Sequence, residues 1–289
     1  MSGIYGIHAL HKSVLSFFLG IFLLLLLVIE IVTFPVAVMN RRLTIRIMNW
    51  YNKTFTRACI YILKIGNKTA VEMVDLQNNP VSMDFNNSSS VLIISNHICA
   101  LDTILLGMVS NSLGKNARFI AKDGLKWLPI LGWGMYLSDY LFIKRIWRID
   151  SERIKKWCFS QKTAISLIIY PEGTRYTEAK RDRSARYSRD NNLPVFTNVL
   201  YPRIKGYNLC MSSLQNPPFT SLLNVTIVYL VNGKLHTPPS IISCLTKRLP
   251  GVFRIVIEKE DIVKEAKNEK YLIQKFQEKD KIIERYKTK

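Results

Sequence analysis

The sequence is poor in cysteine chemistry and in acids. Its five cysteines, Cys59, Cys99, Cys158, Cys210 and Cys244, are odd in number, far apart and without a C-x-x-C pair. That excludes a zinc ligand set and a disulfide framework, and reads as reduced thiols in a cytosolic environment. Acids number 21 against 41 Lys and Arg, a formal net charge of +20 over 289 residues, and such an excess calls for an anionic partner. The cations are spread along the chain, with no basic stripe interleaved with aromatics and no recognisable binding module, so nucleic acid is not expected. An anionic membrane surface and phosphorylated substrates remain. No internal repeat or low-complexity tract is present.

What the chain does have is apolar residues, 48% of the total with a slightly positive mean hydropathy, despite its many charges. They concentrate near the N-terminus. Val14 to Ile29 is uncharged, and after Glu30 the apolar character resumes through Met39, roughly 26 residues in all and enough to cross about 30 Å of hydrocarbon with some tilt. Its apolar core is long for a signal peptide and no small-x-small cleavage site follows. Lys12 precedes it, whereas Arg41, Arg42, Arg46, Lys53 and Arg57 follow, which places the C-terminal side in the cytosol. Glu30 is read as an acid at the edge of the span or at the boundary of a bent two-part helix. Pro35 offers a break that would make the segment a re-entrant hairpin instead. Ile45 to Ile65, mixed apolar and basic with Trp50, Tyr51, Phe55 and Tyr61, resembles an interfacial amphipathic helix.

Three regions are expected: a membrane-associated helical region over 1–75, a catalytic body over 76–258 opening with a polar linker at 76–90, and a charged C-terminal helix over 259–289 with Tyr271, Ile273, Phe276, Ile282 and Ile283 as its inner face. In the body, short apolar runs at Val91–Ser95, Phe119–Ala121, Tyr140–Ile143, Ala164–Tyr170 and Asn224–Val231 alternate with helical stretches. The fold class is therefore α/β, a mixed sheet flanked by helices.

Four segments carry chemistry. In Val91-Leu-Ile-Ile-Ser-Asn-His-Ile-Cys-Ala-Leu-Asp102 an apolar strand ends at Asn96 and His97, at the carboxyl edge where α/β sheets gather reactive groups. Asp102 lies about 140° around the axis if both residues share one helix, so contact requires His97 to sit in the turn before it. The carboxylate then engages one ring nitrogen and leaves the other to take a proton from a hydroxyl. Alone, the spacing is equally that of a strand-end histidine followed by a first-turn acid suited to the helix dipole. Ala164-Ile-Ser-Leu-Ile-Ile-Tyr-Pro-Glu-Gly-Thr-Arg175 joins a strand to a tight turn in which Gly173 permits unusual backbone angles. Arg175 offers a planar fork for phosphate, with Glu172 to orient it or a substrate hydroxyl. A solvated arginine on a plain turn is the blander alternative. Leu141-Phe-Ile-Lys-Arg145 ends in two cations fit for an anionic headgroup, although adjacent cations at a strand end are commonplace. Asn198-Val-Leu-Tyr-Pro-Arg-Ile-Lys-Gly-Tyr207 pairs rigid Pro202 with Gly206 and two further cations, a string equally suited to shaping an acyl or pantetheine passage and to a plain loop.

In this order and spacing the segments resemble the four blocks of the glycerolipid acyltransferases, which include the 1-acylglycerol-3-phosphate acyltransferases. Asn96–Asp102 and Glu172–Arg175 are the specific blocks, and the other two are most similar to the eukaryotic lysocardiolipin-acyltransferase-like branch. The resemblance implies a base at His97 paired with Asp102. It implies substrate binding by Asn96, Lys144, Arg145, Glu172, Gly173, Thr174, Arg175 and Pro202. Acyl-CoA would be the co-substrate and a lysophospholipid the acceptor, with neither metal nor prosthetic group, on the cytosolic face of the endoplasmic reticulum. Cys99 stands where many relatives carry Ser, and Tyr201 precedes Pro202 where a small or β-branched residue is frequent. No hydrophobic segment follows the catalytic body, so attachment is expected to depend on the N-terminal region. A CoA-independent transacylase of the tafazzin type and a non-enzymatic basic membrane adaptor are the alternatives.

Overall fold

A computed structural model describes residues 2–66, 68–83, 88–214, 218–240, 243–244, 250–261 and 268–287. Its first helix, α1 (Ser2–Met39), runs unbroken through Pro35. The chain turns instead at Asn40, whose side chain accepts from Leu43 N and caps α2 (Arg41–Tyr61), the usual service of an Asn at a helix start. Gly20–Met39 is long and apolar enough to cross a membrane and is largely unburied. α2 folds back on α1, and its inner residues Met48, Tyr51 and Ile60 are buried in protein. That corrects the expectation of a helix lying on lipid: only its outer side, with Trp50 and Tyr61 exposed, remains for an interface.

A mixed sheet forms the body, in the order β1-β8-β6-β2-β5-β3-β4 with β7 beside β6. The strands are β1 (Thr69–Val74), β2 (Ser90–Ser95), β3 (Asn116–Lys122), β4 (Leu141–Ile143), β5 (Ile165–Ile169), β6 (Phe219–Val231), β7 (Lys234–Leu235) and β8 (Gly251–Asp261). β2 pairs in parallel with both β5 and β6, whereas β8 runs antiparallel to β6. β1 lies within the stretch assigned to the N-terminal region, yet it pairs with β8 as a sheet edge.

Alternation explains the layers. In β2, Leu92 and Ile94 face one apolar cluster and Val91 and Ile93 the other, as a strand buried on both faces requires. One cluster is covered by α5 (Trp147–Ser160) and α7 (Ile204–Ser213), and by the last helix, α8 (Glu269–Lys287). The opposite cluster is covered by α3 (Asp102–Ser112) through Leu105, Leu106 and Val109, together with Ile60 of α2. Between β3 and β4 a 3₁₀ turn (Asp123–Trp127) leads into α4 (Leu131–Leu137), and α6 (Glu178–Asp190) follows β5.

The C-terminal helix begins at Glu269, residues 259–261 being the end of β8. Its inner face is Leu272, Phe276, Ile282, Ile283 and Tyr286, with Tyr271 and Ile273 only half-buried. Lys275 and Lys279 also point inward.

Candidate functional site

The site lies at the carboxyl ends of β2 and β5. Leaving β2, Asn96 uses both ends of its amide on one residue of the neighbouring strand: Nδ2 donates to Ile227 O (2.9 Å) and Oδ1 accepts from Ile227 N (2.8 Å). This buried side chain fixes where the chain leaves the sheet. His97 follows in the turn before α3, and its Nδ1 lies 2.8 Å from Asp102 Oδ2.

Asp102 does more than hold the ring. Its Oδ2 also accepts from Ile98 N (2.7 Å) and Cys99 N (2.9 Å), and the Cys99 thiol donates to Oδ1 (3.1 Å). Cys99 therefore supplies a donor where a hydroxyl is common in the resembling family. Burial first, then the adjacent carboxylate, pushes that thiol well above the usual range, so it acts as a neutral donor. Tyr170 stacks on the imidazole at 4.2 Å between centroids. The carboxylate on Nδ1 selects the tautomer whose Nε2 is an unprotonated acceptor. His97 keeps 18% side-chain exposure while Asp102 has none, so the ring is reachable and its support is dry.

The second segment closes onto the first. Gly173 has φ +68°, and a Cβ there would meet the Arg203 side chain at 3.0 Å, so both the turn and the close approach require glycine. Glu172 is buried and bridges two backbones: Oε1 accepts from His97 N (3.0 Å) and Oε2 from Leu200 N (3.3 Å). It is thus committed to the scaffold rather than to Arg175 or a substrate hydroxyl. Tyr176 N donates to His97 O (2.7 Å) and Arg203 N to Pro171 O (2.7 Å), which draws the first and second segments and the one over Asn198–Tyr207 into one wall.

Cations rim this wall. Arg145, at φ +65°, donates from Nη2 to Gly173 O (3.0 Å). Lys180 Nζ donates to Thr174 Oγ1 (2.7 Å) and Arg175 O (3.0 Å). Arg175, Arg203 and Lys144 are exposed, and Pro202 is buried. Asp150 ties down the bend after β4 by accepting from Lys144 N and Ile146 N, both at 2.8 Å. Lys180, Arg203, Tyr170 and Asp150 were not singled out from the sequence. Lys180 lies just beyond a quoted motif and Arg203 within one, counted there only among the cations after Pro202, and the spacing of cations around Gly173 was the available signal.

The rear of the site is held by α8. Lys279 is fully buried and donates to Val225 O (2.6 Å), Ile94 O (3.3 Å) and the side chain of Asn224. Asp280 accepts from Thr197 N (3.0 Å) and Asn198 N (2.6 Å), two residues before Leu200. A base held by a carboxylate beside a cationic rim can take a proton from a hydroxyl on a phosphate-bearing molecule.

Burial raises the Glu172 carboxyl to about 8, with the two backbone donors opposing. Its folded pKa exceeds its unfolded one. The associated stability is therefore full below about pH 4.5 and lost as pH rises through about 8. Glu172→Gln is expected to flatten that limb in a plot of melting temperature against pH. An unaltered slope would place the titrating proton elsewhere.

The acyltransferase family profile matches residues 71–207. The chain is similar to the Arabidopsis thaliana protein named "Probable 1-acyl-sn-glycerol-3-phosphate acyltransferase 5", at 30% identity, covering 67% of this chain and 52% of that protein. It is similar to the Mus musculus 1-acyl-sn-glycerol-3-phosphate acyltransferase epsilon at 28% identity, covering 68% and 58%, and to the delta form at 26% identity, covering 73% and 57%. The chain spans little more than half the length of these relatives.

Proposed function

From the premise that the chain belongs to the glycerolipid acyltransferase family, we propose that it transfers the acyl group of acyl-CoA to the free hydroxyl of a lysophospholipid, with lysophosphatidic acid the first acceptor to test. The observation that carries this reading is the His97 Nδ1–Asp102 contact at 2.8 Å, set beside the Arg145 and Arg175 rim.

In the proposed reaction the acceptor phosphate rests against Arg145, Arg175 and the neighbouring cations. Its hydroxyl gives a proton to His97 Nε2 while the oxygen attacks the thioester carbonyl. The tetrahedral intermediate collapses, the C–S bond breaks, and the imidazolium returns its proton to the departing CoA sulfur. Asp102 stabilises the imidazolium and keeps the ring in register. No protein nucleophile, metal or prosthetic group takes part. In this scheme Asn96 and Glu172 act as positioning residues, whereas Lys144, Thr174 and Pro202 border the substrate path. Residues 1–75 serve as the membrane region apart from β1, which joins the sheet of the catalytic body over 76–258, and 259–289, past the end of β8 at Asp261, as its C-terminal support, with the catalytic side on the cytosolic face of the endoplasmic reticulum.

Membranes containing the chain are expected to release free CoA thiol and form diacyl phospholipid when given acyl-CoA and lysophosphatidic acid. Diacyl product formed without acyl-CoA, from a diacyl donor, would favour the transacylase instead. Arg175→Ala is expected to raise KM for the phosphorylated acceptor about tenfold or more while leaving the acyl-CoA KM little changed, since a charge-assisted hydrogen bond contributes about 1.5–3 kcal/mol. A collapse confined to acyl-CoA would move Arg175 to the other substrate.

A further inference from the structure

One carboxylate inside the apolar helix ties α1 to the catalytic body. Glu30 is fully buried and accepts from the Tyr51 hydroxyl (2.7 Å) and from Ile130 N (3.0 Å). Ile130 stands at φ +68°, a conformation unfavourable for a β-branched residue, and the carboxylate holds its amide. Gly134 allows the approach, because a Cβ there would lie 2.8 Å from Glu30 Oε1. Phe34 meets Trp133 edge-to-face at 5.7 Å, and Leu26, Met48, Tyr51 and Leu137 form one buried cluster. Ile130 and α4 thus lie alongside the middle of Gly20–Met39, with the 3₁₀ turn packed against α4.

This placement fixes a depth. Glu30 stands about 13 Å along the helix from Met39 at 1.5 Å per residue, close to half of a hydrocarbon core of about 30 Å. If α1 enters a bilayer through this window, the segment held against Glu30 enters with it. The outward side of that segment suits lipid: Trp127 is 73% exposed, and Leu125, Leu128 and Leu131 are also exposed. α1 itself exposes Val28, Ile31 and Val32 in the stretch around Glu30. Lys126, paired with Asp123 and over the Trp127 ring, supplies a cation suited to a headgroup.

We propose that Leu125–Leu131 is a second membrane-inserting element, seated among the acyl chains of the leaflet that α1 enters and keyed to it by Glu30. The test uses the full chain in phosphatidylcholine/phosphatidylglycerol vesicles doped with a phosphatidylcholine bearing a diazirine near its acyl terminus. After photolysis, adducts are expected on the peptide spanning 123–137 as well as on α1. Trp127→Glu is expected to cut labelling of that peptide about tenfold or more while α1 labelling persists, because a carboxylate is costly among acyl chains. Adducts confined to α1, or undiminished labelling in the variant, would overturn the proposal. Labelling needs no turnover, so its outcome is separable from the catalytic reading.

Discussion

His97→Ala is expected to lower kcat by about a thousandfold, within the 10²–10⁴ range of positioned general bases. Its KM for acyl-CoA should barely move, since the ring grips a proton rather than the thioester. The measurement is free-thiol release from acyl-CoA in membranes containing equal amounts of folded variant and parent. Asp102→Asn should approach the same loss, because an amide facing Nδ1 favours the wrong tautomer. It should also cost stability, as this carboxylate organises Ile98 N, Cys99 N and the Cys99 thiol. Turnover near the parent rate in His97→Ala would end the general-base mechanism.

Lys279→Met is the second large effect. The ammonium is the donor to Ile94 O, Val225 O and the Asn224 side chain, and its removal leaves those buried acceptors short of a donor at about 1–3 kcal/mol each. For a domain of this size, a loss of about 3 kcal/mol would lower the melting temperature by roughly 6–12 °C. The pH dependence has a definite sign. Burial lowers this amine to about 7 from 10.5, with Glu258 and Glu172 opposing. Between those values the unfolded chain binds the extra proton, so stability rises with pH across that window. The Met variant should lack this rise. A melting temperature unchanged at pH 7 and an unchanged alkaline limb together would show that the amine holds nothing in place.

Legibility in the sequence followed burial. His97 and Asp102 could be paired on paper because a strand end and a five-residue step leave one geometry in which they touch. Glu172 could not be read: a glutamate beside Gly173 and Arg175 resembles a ligand, and only the fold shows its two oxygens facing His97 N and Leu200 N. Lys279 was invisible for a related reason. A lysine in a charged amphipathic helix reads as solvent-facing, and three acceptors from other strands make it an interior group. β8 was overlooked because its Arg254 and its acidic end weaken the apolar run, although that arginine pairs with Glu72 of β1. Pro35 failed as a break because one lost backbone donor does not end a helix whose neighbours pack against it. Within α2, local pattern could not separate a face turned to lipid from one turned to α3.

The order in which the sheet is filled has a consequence for biosynthesis. β2 leads into the imidazole at its end, yet one of its flanks is occupied by β6 and the carbonyl of its penultimate residue, Ile94, is gripped by Lys279. Translation at about 5–20 residues per second leaves the nascent histidine strand one-sided for on the order of ten seconds or more. Under the proposed mechanism a half-made polypeptide would carry His97 and Asp102 without the means to aim them, and so stay chemically silent until ribosomal synthesis reaches α8.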